Sequence, residues 1–135
     1  MTSNIDRRLE VARRGLVRVH PEHLAALQRD GALLVDIRPA ANREAEGELP
    51  GAVVVERIHL EWRLDPTSEH RLPEAVDGRR VVIVCNEGYS SSLAAVDLRG
   101  LGVDATDLEG GYRAWVEWRD TAGTRPAAVE GAVAP

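Results

Sequence analysis

Apolar positions along the chain alternate between short continuous runs and stretches with helical spacing. Ala32-Leu33-Leu34-Val35-Asp36-Ile37, between Gly31 and Pro39, and Ala52-Val53-Val54-Val55, after Pro50-Gly51, read as buried strands rather than half-exposed ones. Val81-Val82-Ile83-Val84 is the strongest strand signal and ends at Cys85. Val103 to Leu108 predicts a last strand, and Val17-Arg18-Val19 a short one ahead of the others. Between them lie helical patterns. Asn4 to Arg14 places Ile5, Leu9, Val11 and Ala12 among charges, and the Arg7-Arg8 and Arg13-Arg14 pairs, interleaved with Asp6 and Glu10, read as a solvated face. Pro21 with Glu22 opens a helix that Asp30-Gly31 closes. Ser91 to Arg99 carries Ala94 and Leu98, with Leu101 beyond, on one face; Ser residues are available to cap its start and Gly100 to stop it. After Gly110-Gly111, Tyr112, Trp115, Val116 and Arg119 fall at i, i+3, i+4 and i+7 of a final helix.

Strands separated by helices predict an α/β domain: about five parallel strands with helices on both faces. The organisation expected is a helical arm over residues 1–16, one domain over 17–122 and a mobile tail over 123–135, which is Ala-, Gly- and Pro-rich without amphipathic period.

Composition narrows the setting. The 135 residues suffice for one domain with a real core, and 44% hydrophobic with 29% charged residues is ordinary for a globular chain. A net charge of −5 argues against general affinity for nucleic acid or anionic membranes. No run approaches membrane-spanning length and the N-terminus lacks a signal-peptide apolar stretch, so the expected compartment is the cytoplasm, where thiols stay reduced. All 17 basic residues are Arg. The four His residues show no metal-ligand spacing, so neither metal nor other cofactor is expected, and Trp62, Trp115 and Trp118 are assigned to packing.

The chain has a single Cys, which excludes an internal disulfide and a dithiol redox couple. Cys85 is then either a small buried hydrophobe or a reactive sulfur. Its position favours reactivity. In open α/β sheets ligands bind at the carboxyl ends of the strands, and Cys85 ends the most apolar one. The turn Asn86-Glu87-Gly88-Tyr89-Ser90-Ser91 contains a glycine and leads into a helix N-terminus, so several backbone N–H groups converge where a thiolate would sit.

With Asp36-Ile37-Arg38 at a strand end, Gly47-Glu48-Leu49-Pro50-Gly51-Ala52 before the next strand, Val82 to Ser91, and Gly110-Gly111-Tyr112-Arg113-Ala114-Trp115, the chain resembles single-domain rhodanese-like sulfurtransferases over about residues 17 to 120. The resemblance implies a five-stranded parallel sheet and a catalytic Cys85. That thiolate takes the outer sulfur of a donor such as thiosulfate, carries it as a persulfide cradled by the amides of Asn86 to Ser91, and yields it to cyanide or a thiol. Asp36 and Arg38 match the family's Asp-x-Arg pair, expected to brace neighbouring loops. Ser90 is placed either to donate to the outer sulfur or to cap the helix. Glu48 stands where the family usually has His.

A carboxylate inside the active loop, Glu87, opposes an anionic sulfur, and no cationic residue occurs from Asn86 to Ser92. A compensating charge is expected from outside the loop, with Arg57, Arg63 and Arg43 as candidates and a surface ion pair as the alternative role for each. Related phosphatases use a Cys-x5-Arg loop; here Ser91 occupies the Arg position, which disfavours phosphoryl transfer. The competing reading from another class is a catalytically silent interaction module, and a protein sulfur carrier is an alternative to a small-molecule partner.

Overall fold

A computed structural model describes residues 2–123. The element order is α1 (Asn4–Arg14), α2 (Pro21–Arg29), β1 (Leu33–Asp36), α3 (Ala40–Glu46), β2 (Val53–Val54), a 3-10 turn (Arg57–His59), α4 (Leu60–Leu64), β3 (Arg80–Val84), α5 (Ser90–Arg99), β4 (Asp104–Asp107) and α6 (Gly111–Gly123). The tail expected from residue 123 lies outside the described residues except for Gly123, which ends α6.

The four strands form a parallel sheet in the order β2-β1-β3-β4. Leu33 pairs with Val81, and Asp36 with Val84, so the carboxyl ends of the central strands stay level. Alternation along each strand divides the core between the two faces of the sheet. On one, Leu33, Val35, Val81, Ile83 and Ala105 meet Leu60 and Leu64 of α4 and Ala94, Ala95 and Leu98 of α5. On the other, Leu34, Val82, Val84 and Leu108 meet Leu24 of α2 and Tyr112 of α6, with Trp115 and Val116 packed against them. Val82, Ile83 and Val84 are fully enclosed, each worth about 1.5–3 kcal/mol of apolar burial. That central position fixes the strand that delivers Cys85.

Three expectations change. The fifth strand shrinks to a parallel bridge between Val19 and Leu108, with Val19 N–H donating to Asp107 O at 2.9 Å and Glu109 N–H to Val19 O at 2.8 Å. Pro21 already opens α2 two residues later, leaving no room for a ladder, and Val17 is 88% exposed. The run Ala52–Val55 gives only the two-residue edge strand β2, in which Val54 faces solvent; it pairs on one side, with β1. Trp62 is exposed rather than packed.

α1 begins with a capping box, Asp6 N–H donating to Ser3 Oγ and Ser3 N–H to the Asp6 carboxylate. Leu9 and Ala12 are its buried residues, and the helix packs on α5.

Candidate active site

β3 stops at Val84, and the chain turns through Cys85, Asn86, Glu87 and Gly88 into α5. Cys85 is 6% exposed and free. Two backbone donors point at its sulfur: Gly88 N–H at 3.1 Å and Ser91 N–H at 3.4 Å. Gly88 reaches this geometry at φ +86°, in the region that favours glycine. Any Cβ there would also meet Gly110 N at 2.7 Å.

The Gly110-Gly111 pair lets the start of α6 abut the loop. Tyr112 N–H donates to Cys85 O at 2.8 Å and Arg113 N–H to Asn86 O at 3.1 Å, while a Cβ on Gly111 would fall 2.5 Å from Cys85 O. The carbonyls of Cys85 and Asn86 are thus turned onto α6. Such backbone donors and acceptors paired with a neighbouring helix fix the main chain of the loop.

Beneath the loop lies Asp107, fully buried at the end of β4. It accepts from Ser91 Oγ at 2.7 Å and Ser92 Oγ at 2.8 Å, and pairs with Arg18, whose Nε and Nη2 donate at 2.9 and 3.1 Å. The serines therefore do not cap α5. Tyr89 is the N-cap residue and makes no side-chain cap bond, while Ser91 and Ser92 turn their hydroxyls inward to Asp107. Ser90, at the first helical position, is exposed, as are Glu87 and Tyr89.

Asp36 and Arg38 form a buried pair at the end of β1. Nη2 of Arg38 donates to Asp36 Oδ2 and to Gly47 O, both at 2.8 Å, and the guanidinium carbon stacks 3.8 Å from the Tyr112 ring centre. Tyr112 in turn donates to Glu46 O at 3.0 Å. The pair thereby links the loop after β1, the end of α3 and the start of α6.

At the mouth, Glu46 accepts from Asn86 Nδ2 at 3.0 Å and from Arg113 Nε at 3.0 Å. Arg113 reaches onward to Glu87 at 3.3 Å. Hydrogen bonds from Arg113 first, and Asn86 second, pull the Glu46 carboxyl down from its ordinary 4.5 to about 2. The bond to Glu46 likewise raises Arg113 above its ordinary range.

These contacts relocate the cations. Arg57 bonds Glu61 at 2.9 and 3.0 Å and Asp97 at 2.8 Å, Arg63 donates to His70 O at 2.7 Å, and Arg43 pairs with Glu48 at 3.3 Å. The loop instead receives Arg13, Arg18 and Arg113. Arg57 does line a cleft of about 350 Å³ beyond the carboxyl ends of β1 and β2, with Ile37, Arg38, Glu56 and Ile58. The sequence signal for Arg113 was its place in the Gly-Gly-Tyr-Arg motif. Arg13 had none, since charge patterning assigns it to a solvated face, and Asp107 lies in a strand short of apolar residues.

The family model for the rhodanese-like domain matches residues 20–117. The chain belongs to the rhodanese-like domain family. The chain is similar to thiosulfate sulfurtransferase GlpE of Pseudomonas fluorescens, 32% identical over 99 residues that cover 73% of this chain and 83% of that protein. Among solved structures, a rhodanese homolog of Thermus thermophilus is 36% identical with a TM-score of 0.54, covering 71% of this chain and 96% of the other. A Rhodopseudomonas palustris protein described as of unknown function, possible tyrosine phosphatase, is 29% identical with a TM-score of 0.76, covering 87% and 92%. The human single-domain sulfurtransferase is 28% identical with a TM-score of 0.59, covering 76% and 97%.

Proposed function

We propose that the protein is a sulfurtransferase that carries a sulfane sulfur on Cys85. What supports this reading is a lone thiol at the carboxyl end of the central strand with two backbone N–H groups aimed at its sulfur. Those donors face the sulfur that carries negative charge as nucleophile and as persulfide. Relatives named thiosulfate sulfurtransferase suggest thiosulfate as a donor.

In the first half-reaction the Cys85 thiolate attacks the outer sulfur of thiosulfate. The S–S bond of the donor breaks and sulfite leaves with the bonding pair, so that Cys85 becomes a persulfide anion. Amides between Asn86 and Ser91 hold that anion, and exposed Ser90 stands at the rim of the same turn. In the second, cyanide or a thiolate attacks the outer sulfur and the Cys85 thiolate departs. This is a ping-pong cycle needing no cofactor. Asp36 and Arg38 act as braces for the loops around it. Each cycle starts from a reduced Cys85, which fits a cytoplasmic setting; among the described residues no helix is long and apolar enough to cross a membrane. A cellular thiol is the proposed acceptor, with a protein sulfur carrier as the alternative.

Phosphoryl transfer is the rival that the Rhodopseudomonas neighbour raises. It requires a guanidinium in the loop to clamp phosphate oxygens. Ser91 stands at that position with its hydroxyl bonded to Asp107.

Intact mass after thiosulfate treatment tests the proposal. One sulfur atom should be gained, lost on adding cyanide, and never acquired by Cys85→Ser. No gain from thiosulfate or from a thiol persulfide would leave a binding module as the better reading.

A further inference from the structure

Arg13 lies on α1, outside residues 20–117 matched by the family model. Its guanidinium nevertheless belongs to the Cys85 loop. Nη2 donates to Gly88 O at 2.8 Å, Nε donates to Ser92 Oγ at 3.1 Å, and the guanidinium carbon stands 5.7 Å from the Tyr89 ring centre. Arg18, in the link between α1 and α2, donates to the same Gly88 carbonyl at 2.8 Å while gripping Asp107. A carbonyl oxygen has two lone pairs and can accept from both.

Gly88 is the residue whose N–H approaches the sulfur most closely. Without a side chain, and at positive φ, its peptide planes would rotate at little cost. Two guanidinium groups on its carbonyl fix the peptide that follows Gly88, and with it the backbone between the two donors to the sulfur, Gly88 N–H and Ser91 N–H. They also supply the positive charge missing from the loop itself. Arg13 and Arg18 against Asp107, with Arg113 against Glu46 and Glu87, leave these six groups balanced at neutral pH. Removing Arg13 makes the set net negative around an anionic sulfur.

A staple between helices would be explained by the Ser92 bond alone, and α1 is already anchored by Leu9 and Ala12. All three Arg13 contacts fall on residues 88 to 92 of the turn and first helical turn. We infer that Arg13 is a positioning residue for Cys85, and that α1 is a working part of the sulfur-transfer site. This inference rests on the sulfurtransferase reading.

Arg13→Ala and Arg13→Lys test it, with Arg14→Ala as a control on the same helix, since Arg14 pairs with exposed Glu10. Three properties are measured below the melting transition of every variant: kcat and KM for transfer from thiosulfate to cyanide, and the rate at which neutral iodoacetamide alkylates Cys85. Arg13→Ala should lower kcat and alkylation about tenfold, as expected for a small misplacement of a reacting group, with KM changing less. Arg13→Lys should recover part of the loss by restoring one donor to Gly88 O, and Arg14→Ala should follow the wild type. Unchanged kcat and alkylation in Arg13→Ala, even with a lowered melting temperature, would reduce Arg13 to a staple and overturn the inference. A raised KM with unchanged kcat would do so too, by making Arg13 a donor-binding group. If the wild type takes up no sulfur, the sulfurtransferase reading fails, while the alkylation comparison still decides whether Arg13 positions the thiol.

Discussion

Glu87 shows how a single residue in the loop can be misjudged from its charge alone. A carboxylate two positions from the nucleophile repels an anionic donor, yet its partner Arg113 lies 3.3 Å away and both side chains are more than half exposed. Exposed pairs of this kind are weak and screened by salt, so the residual effect on a dianion falls on its approach rather than on the fold. Glu87→Gln should therefore raise kcat/KM for thiosulfate a few-fold at low ionic strength, the gain fading as salt is added, with stability nearly unchanged. Steady-state rates over a salt series check this; a slower variant would show that Glu87 assists the reaction. Asp36 and Arg38 stand at the opposite extreme. Both are almost fully enclosed, and a buried pair that loses one partner typically costs about 3–5 kcal/mol, which suits a brace rather than a reacting group.

At the level of elements, α6 carries a steric requirement that can be tested alone. Gly111 has φ +67° and no room for a Cβ beside Cys85 O and Asn86, all backbone atoms that cannot swing aside. Gly111→Ala should cost about 1–3 kcal/mol in urea unfolding, from strained backbone, and slow sulfur uptake by displacing the loop. A variant as stable and as fast as wild type would contradict this account of the Gly-Gly motif. Elements whose packing follows from apolar pattern were legible in the sequence: α1 keeps its expected bounds, β3 extends one residue beyond Val81–Val84, and the Cys85 loop follows β3. What pattern could not convey was set by neighbours. Val17-Arg18-Val19 has strand composition, but the start of α2 cuts its ladder to one bridge. Arg13 looks solvated because periodicity along a helix says nothing of a loop that is distant in sequence. Arg57 and Arg63 follow a strand's carboxyl end in the sequence, but sequence nearness does not show that Glu61, Asp97 and the His70 carbonyl engage them, nor that Glu48 engages Arg43.

Across the whole molecule, one carboxylate joins three distant segments: Glu46 at the end of α3, Asn86 after β3 and Arg113 in α6. Its folded value of about 2 lies below the ordinary 4.5, so between these limits the unfolded chain binds more protons than the folded one. The stabilisation from Glu46 is complete above about 4.5 and is lost as pH falls through about 2. Glu46→Gln should flatten the acid limb of the stability curve in that window, measured by denaturant unfolding at a series of pH values. An unaltered slope would mean that the Glu46 carboxylate contributes nothing to holding the three segments together. The lone cysteine has a further consequence, in its chemistry with oxidants. A sulfenic acid formed on Cys85 has no second thiol within the chain to condense with, and the next oxidation, to sulfinic acid, is not reversed by thiols. Thiols from solution must intercept it. If these are also the sulfur acceptors, the pool that unloads the protein is the one that repairs it.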